Sequence, residues 1–184
     1  MTDAEGGPKH HKETAAKDFG VFVLTVSDTR TEETDRSGRI LCELVEGAGH
    51  RVTGTEIVPD DPGRIQAAVQ LAVEERDTDI VLITGGTGIA RRDSTVDTVR
   101  PMLKKELDGF GELFRMLSFR EIGSSAMLSR AVAGIIADKV VFSMPGSSGA
   151  VKLAMNQLIL PELGHIVREL RKTGSNQGAG RRDR

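Results

Sequence analysis

The residues of this 184-residue chain that are fit for chemistry collect in turns behind short apolar runs. The first such turn, Thr84-Gly85-Gly86-Thr87-Gly88, follows Ile80 to Ile83. Its glycines let backbone N–H groups point into one concavity and let an anion come close to the main chain. Taken alone, the turn is equally a sharp strand-to-helix corner that needs positive φ. It is not a Walker A loop, because no Lys follows the glycines. A G-x-G-x-x-G frame set on Gly86 and Gly88 meets Arg91 where the third glycine belongs.

Arg91-Arg92-Asp93-Ser94-Thr95 follows at once. In its plainest reading Asp93 caps a helix. A carboxylate beside a phosphate nest is repulsive unless a cation intervenes, and Mg²⁺ binds through one or two carboxylates plus substrate phosphates. The pairing therefore favours a metal-bound phosphate. In Pro145-Gly146-Ser147-Ser148-Gly149-Ala150 a strand stops and a helix N-terminus opens. Free N–H groups and the macrodipole suit an anion there, although an ordinary Ser cap needs no ligand. Two anion-capable turns on one sheet edge suit a ligand with two phosphates, or one long phosphorylated ligand. Ser27-Asp28-Thr29-Arg30 and Pro59-Asp60-Asp61 end two more runs. Both are compatible with plain turns; Asp61 reads as a cap, which leaves Asp60 free to reach a cleft.

These turns need a scaffold. Val21 to Val26 and Ile80 to Thr84 are continuous apolar runs, which suit parallel strands covered on both faces. Arg51 to Val58 reads as a third strand, Val140 to Met144 as a fourth, and Ala131 to Ala137 as a further candidate. Ile40, Leu41, Leu44, Val45 and Ala48 share one helical face, with Asp35 and Thr34 as cap candidates. Asp61-Pro62 opens a helix carrying Ile65, Ala68, Val69, Ala72 and Val73. Val151, Ala154, Met155, Leu158 and Ile159 mark another, whose face resumes at Leu163 beyond Pro161. This alternation predicts an α/β three-layer sandwich with a mostly parallel central sheet, binding its ligand beyond the carboxyl ends of the strands. In Thr95 to Met127, Pro101 either kinks a helix or starts one and Gly109 to Phe119 reads as a further helical piece, while the detail of the layout stays open. The expected organisation is a disordered tail over 1–18, a single domain over 19–172 and a disordered tail over 173–184.

Composition removes several function classes. With 25 Lys+Arg against 27 Asp+Glu, and neither Trp nor Tyr, the chain offers no broad phosphate-backbone footprint and no base-stacking platform, which argues against nucleic acid. A single cysteine, Cys42, forms no intrachain disulfide, no metal-cage spacing is present, and the chain reads as cytoplasmic. Cys42 lies in an amphipathic helix and reads as a packed thiol more than a nucleophile. His50 and His165 are isolated, and no G-x-S-x-G elbow occurs. No apolar run approaches the ~20 residues a bilayer requires, and the start lacks an apolar signal core.

Taken together, Ser27-Asp28, Pro59-Asp60-Asp61, Thr84 to Gly88 with Arg92-Asp93, Gly109-Phe110-Gly111-Glu112-Leu113-Phe114-Arg115, Ala126-Met127-Leu128-Ser129-Arg130-Ala131 and Pro145-Gly146-Ser147 resemble the MoaB/MogA family of molybdenum cofactor biosynthesis proteins, closer to its MoaB branch. The resemblance runs from about Phe19 to Arg171, and it is the order and spacing of the motifs that is specific. It implies a molybdopterin-binding fold assembled as a homotrimer or homohexamer. It also implies molybdopterin binding and, in active members, transfer of AMP from Mg-ATP to the terminal phosphate of molybdopterin with release of pyrophosphate. A partner enzyme that inserts molybdate then uses the product. The family's two functional aspartates match Asp60 and Asp93. Two departures occur: Thr95 precedes Val96 where many relatives have Thr-Pro after the Arg-Asp pair, and no second proline follows Pro145-Gly146-Ser147. Neither removes a ligand group.

For such a transfer the attacking group is already a phosphate oxygen, so no protein nucleophile is required and catalysis reduces to alignment and charge neutralisation. Asp60 and Asp93 are expected to hold or orient Mg²⁺. Ser27, Asp28, Thr84, Gly85, Gly86, Thr87, Gly88, Arg92, Pro145, Gly146, Ser147 and Ser148 are expected to bind the two phosphorylated substrates. Which loop takes the pterin stays open. The alternative is a carrier of the same fold that binds molybdopterin without transferring AMP; a generic nucleotide-dependent phosphotransferase leaves the full-length resemblance unexplained. Without Trp or Tyr, the pterin is expected to be gripped by backbone amides, hydroxyls and charge more than by stacking.

Overall fold

Gly20–Val26 (β1) and Ile80–Thr84 (β3) are rich in Val, Leu and Ile, and in the computed structural model, which describes residues 18–172, they lie side by side inside a six-stranded sheet. The remaining strands are Arg51–Val58 (β2), Lys105–Glu106 (β4), Val132–Ile136 (β5) and Lys139–Met144 (β6). The order is β2-β1-β3-β6-β5-β4. The first four run parallel, β5 is antiparallel to β6, and β4 is antiparallel to β5. The α/β sandwich with a mostly parallel sheet is therefore present. Every residue of β3 is buried, as a strand covered on both faces must be.

Side-chain alternation sorts the core into two layers. Val21, Val23, Leu82 and Phe142 face one cluster, covered by Arg36–Gly47 (α1), Asp108–Ile122 (α4), Ser148–Ala154 (α5) and Leu160–Lys172 (α6). Leu24, Val81, Ile83 and Val141 face the other, covered by Pro62–Glu74 (α2) and Thr95–Val99 (α3). Phe114 is fully buried from α4, and Phe110 meets Phe142 edge to face at 5.2 Å. Each such ring contributes about 1.5–3 kcal/mol of burial.

Three local features refine the sequence reading. Residues 95–127 fold as α3, a 3₁₀ turn at Arg100–Met102 holding Pro101, β4, α4 and the start of a second 3₁₀ segment, Gly123–Leu128. Pro161 does not break its helix: α5, a π turn at Met155–Ile159 and α6 are contiguous. A proline lacks the N–H donor and crowds the carbonyl four residues back, and the turn before it widens accordingly. The expected tails lie outside the described residues except for Asp18, whose carboxylate pairs with Arg51 Nε at 2.9 Å. Among the described residues no helix is long and apolar enough to cross a membrane.

The chain leaves β1 through α1 to β2 on one side, then returns through α2 to β3 on the other. α1 and α2 cover opposite faces. The strand order reverses between β1 and β3, and such a switch point opens a crevice at the carboxyl ends of the strands.

Candidate functional site

The crevice is present as a cleft of about 430 Å³ at the ends of β1, β3 and β6. That is the size of a small-molecule site. Ser27, Thr84, Gly85, Gly86, Thr87, Gly88, Asp93, Pro145 and Gly146 all line it. The loops after β3 and β6 are tied together. Gly85 N donates to Met144 O at 3.1 Å, and Thr84 Oγ1 donates to Pro145 O at 3.3 Å. A Cβ at Gly146 would stand 3.2 Å from Gly85 Cα. At Gly85 φ is +100° and a Cβ would lie 2.2 Å from Val26 O, so only glycine lets the loop turn off the end of β1. Beyond that turn the N–H groups of Gly86, Thr87 and Gly88 find no backbone acceptor among the described residues. They are the free donors an anion-binding nest needs.

Asp93 stands at the nest. Its Oδ2 accepts from Ala90 N at 2.7 Å and packs against Gly88, where a Cβ would come within 2.6 Å. Asp60 lies behind the loop and does not line the cleft. Its Oδ1 accepts from Ser94 N at 3.0 Å and from Ser94 Oγ at 2.7 Å, while its Oδ2 faces Gly86. Thr95 Oγ1 faces the same glycine and is buried without a hydrogen-bond partner. The two aspartates thus bracket one glycine loop. Among the described residues no three His, Cys, Asp or Glu side chains converge as a metal cage. The oxygens of Asp60, Asp93 and Thr95 left without a partner are hard donors of the kind a divalent cation takes, and of the three residues only Asp93 lines the cleft.

Asp28, Arg92, Ser147 and Ser148 stand apart from the cleft lining. Asp28 Oδ2 pairs with the Arg92 guanidinium at 3.0 Å, and its Oδ1 accepts from Asp60 N at 3.2 Å. This pair links the turns after β1, β2 and β3. Ser147 Oγ caps α5 by accepting from Ala150 N at 3.2 Å, and Ser148 is the first residue of that helix. Within the cleft, Ser27 Oγ accepts from Thr29 N at 3.3 Å and Arg30 N at 3.2 Å, rounding the turn after β1.

Sequence reasoning missed Thr25 and Ser37, and it quoted the motifs that hold Arg30, Leu128 and Ser129 without assigning these residues to the site; all five line the cleft. Arg130, next to that wall, donates to the Gly88 carbonyl at 3.3 Å and pairs with Asp97, so it ties the nest to α3. Ser37 sits three residues before the apolar face of α1 and was hidden by the capping signal of Asp35. Leu128 and Ser129 follow directly on the segment 95–127, whose layout the sequence leaves open. Cys42 is half-buried; burial pushes its thiol pKa up, and Glu46 and Asp35 push it further. A thiol held protonated is a poor nucleophile, as expected.

The family described as "Probable molybdopterin binding domain" matches residues 22–165. Molybdenum cofactor biosynthesis protein B of Bacillus cereus is 61% identical over 163 residues, covering 88% of this chain and 96% of the relative. A crystal structure of a molybdenum cofactor biosynthesis protein B superposes with a TM-score of 0.83 at 61% identity, over 85% of this chain and 98% of that one. The tungsten cofactor synthesizing protein MoaB from Pyrococcus furiosus gives 0.77 at 40% identity, over 85% and 99%. The family model covers most of the chain and the relatives match it over more than four fifths of its length, and on that ground the chain belongs to the molybdenum cofactor biosynthesis family built on the molybdopterin-binding domain.

Proposed function

We propose that the cleft binds molybdopterin and transfers AMP from ATP to its terminal phosphate. A terminal phosphate oxygen of the pterin attacks the α-phosphorus of ATP, a new P–O–P bond forms, the α–β bridge breaks, and pyrophosphate leaves with the electron pair. The observation that carries this reading is the nest of free N–H groups at Gly86, Thr87 and Gly88 with the Asp93 carboxylate fixed beside it. The nest supplies donors that hold a phosphate without reorganising. The hydrogen bond to Ala90 aims the Asp93 carboxylate, and the two Ser94 bonds aim that of Asp60. Asp60 and Asp93 would hold Mg²⁺, which when bound offsets charge on the ATP phosphates and the departing pyrophosphate. The loops after β3 and β6, bonded to each other, keep the two phosphorylated substrates in register.

The carrier reading is favoured by one observation: Asp60 stands outside the cleft, behind the nest. The discriminating experiment incubates the protein with molybdopterin, Mg²⁺ and ATP labelled at the α-phosphate. Label on the pterin is expected, and Asp93→Asn is expected to abolish it with folding retained. Molybdopterin bound without any label transferred leaves the carrier reading in its place.

Two further parts of the proposal concern partners. α4 and the 3₁₀ segment after it expose Leu113, Met116, Phe119, Ile122 and Met127, with Phe119 61% and Met127 80% accessible. An apolar face of this kind suits burial against further copies of the chain, in a homotrimer or homohexamer. The adenylylated pterin would pass to a molybdate-inserting enzyme in the cytoplasm.

A further inference from the structure

The nest accounts for one side of the cleft and leaves the wall formed by Thr25 and Ser37 without a role. Thr25 is the penultimate residue of β1, and Ser37 lies in the first turn of α1. Behind them is Asp35, 7% exposed, whose Oδ1 accepts from Gly38 N at 2.9 Å and so caps α1. A cap needs no more than that. Asp35 nevertheless takes two more hydrogen bonds. Thr25 Oγ1 donates to Oδ2 at 2.6 Å, and Ser37 Oγ donates to Oδ1 at 3.0 Å. The cluster is tightly packed at Gly38, where a Cβ would fall 2.2 Å from Asp35 Oδ2 and 2.8 Å from Thr25 Oγ1, and on its far side Asp35 and Thr25 line a second cavity of about 530 Å³.

A hydroxyl carries a single hydrogen. Both hydrogens here are spent on a buried carboxylate, so Thr25 and Ser37 have only lone pairs left for a ligand. A negative charge stands directly behind them. Such a wall repels a phosphate oxygen and receives an N–H group. The nest is its complement, with the N–H donors of Gly86, Thr87 and Gly88 free.

We propose that Asp35 is a positioning residue that locks Thr25 and Ser37 as hydrogen-bond acceptors, and that this wall receives the N–H-bearing edge of the ligand's heterocyclic head while the nest takes its phosphate. The inference rests on the reading of the cleft as a molybdopterin site and adds to it which end of the molecule lies where. A pterin ring presents an amino group and a ring N–H side by side, matching two acceptors. With no Trp or Tyr in the chain, hydrogen bonding is the means available to orient it.

The test titrates molybdopterin and, separately, inorganic pyrophosphate into the full-length wild type, Asp35→Asn and Thr25→Val, with thermal melting of each. Asn keeps an oxygen for the cap but turns an amide N–H toward Thr25, which must then send its hydrogen elsewhere. Val removes the hydroxyl at nearly constant shape and decides the matter should the Asn variant fail to fold. Molybdopterin affinity is expected to fall about ten-fold or more in each variant, with pyrophosphate affinity changed less than about two-fold. Molybdopterin affinity equal to that of the wild type in folded variants overturns the role of Asp35 and leaves the proposed function standing. Equal losses for both probes show a merely structural role and overturn it too. A wild type that binds pyrophosphate but no molybdopterin overturns the functional reading, and the head-group assignment with it, before any variant is compared.

Discussion

Gly88→Ala separates the position of the Asp93 carboxylate from the stability of the fold. An alanine Cβ at this position would stand 2.6 Å from Asp93 Oδ2 and 3.2 Å from its Cγ. Ordinary contact begins near 3.4 Å, so the carboxylate must retreat by about 0.8 Å and surrender its 2.7 Å hydrogen bond from Ala90 N. Gly88 has no positive φ, so alanine strains no backbone. The loss to stability is then one exposed hydrogen bond, about 1 kcal/mol, or a few degrees in Tm. A displacement near 1 Å at a reacting group costs on the order of a hundred-fold in rate. The assay pairs the initial rate of label transfer from α-labelled ATP with thermal unfolding of the same preparation. The expected outcome is a rate reduced about a hundred-fold with Tm lowered by a few degrees. A wild-type rate would refute the placement of Asp93 at the reaction. A Tm lowered by more than about 10 °C would show that the residue pair is structural first.

Gly85→Ala is expected to act on the fold instead: φ of +100° and the Val26 carbonyl 2.2 Å from the new Cβ leave no flexible atom to yield, and chemical denaturation should show a loss above about 3 kcal/mol, whereas a loss below about 1 kcal/mol contradicts the reading. Cys42 should alkylate more slowly at pH 8 than in the urea-unfolded chain, because burial raises its pKa first and Glu46 and Asp35 raise it further. Since the folded state holds that proton more tightly, its stabilising contribution is complete below the unfolded thiol pKa, about 8.5, and is lost as pH rises above it. A denaturation midpoint that climbs above pH 8.5 contradicts the sign. Phe119→Glu, on the exposed apolar face of α4, should convert the proposed oligomer to monomer in light scattering, and a wild type already monomeric removes that part of the proposal.

The strands and the nest were legible because their signals are local. A run such as Ile80 to Thr84 has one way to be fully buried, and the glycines behind it mark where the backbone must turn. Asp35, Asp61 and Ser147 read as caps from their position before apolar helical faces, and all three accept from the backbone N–H three residues on. Within residues 95–127 the helical piece at Gly109 to Phe119 was legible, as part of α4, and the rest was opaque for the opposite reason. β4 has two residues and is held by pairing with β5, a contact that no local pattern announces. Thr25, Ser37 and Leu128 reach one cleft from three elements far apart in the chain. The apolar face that resumes at Leu163 beyond Pro161 was legible, whereas the π turn before the proline, which lets the helix continue, was not.

Asp28 and Arg92 show why charged residues at the right edge of a sheet are not thereby ligands. The strand order sets the turns after β2, β1 and β3 side by side, so a carboxylate on the middle one can reach both neighbours. Asp28 does so, accepting from Asp60 N on one side and pairing with Arg92 on the other. The pair sets Asp60 and the segment bearing Asp93 relative to each other, and its charges cancel within 3.0 Å. Arg92 is then no free cation for a phosphate. The donors at the cleft include the backbone N–H groups of the nest, with Arg30 on the wall. Anion binding here accordingly depends on the shape of one glycine loop more than on net charge. Substitutions that reshape that loop should therefore weaken phosphate binding more than substitutions that merely remove Arg92.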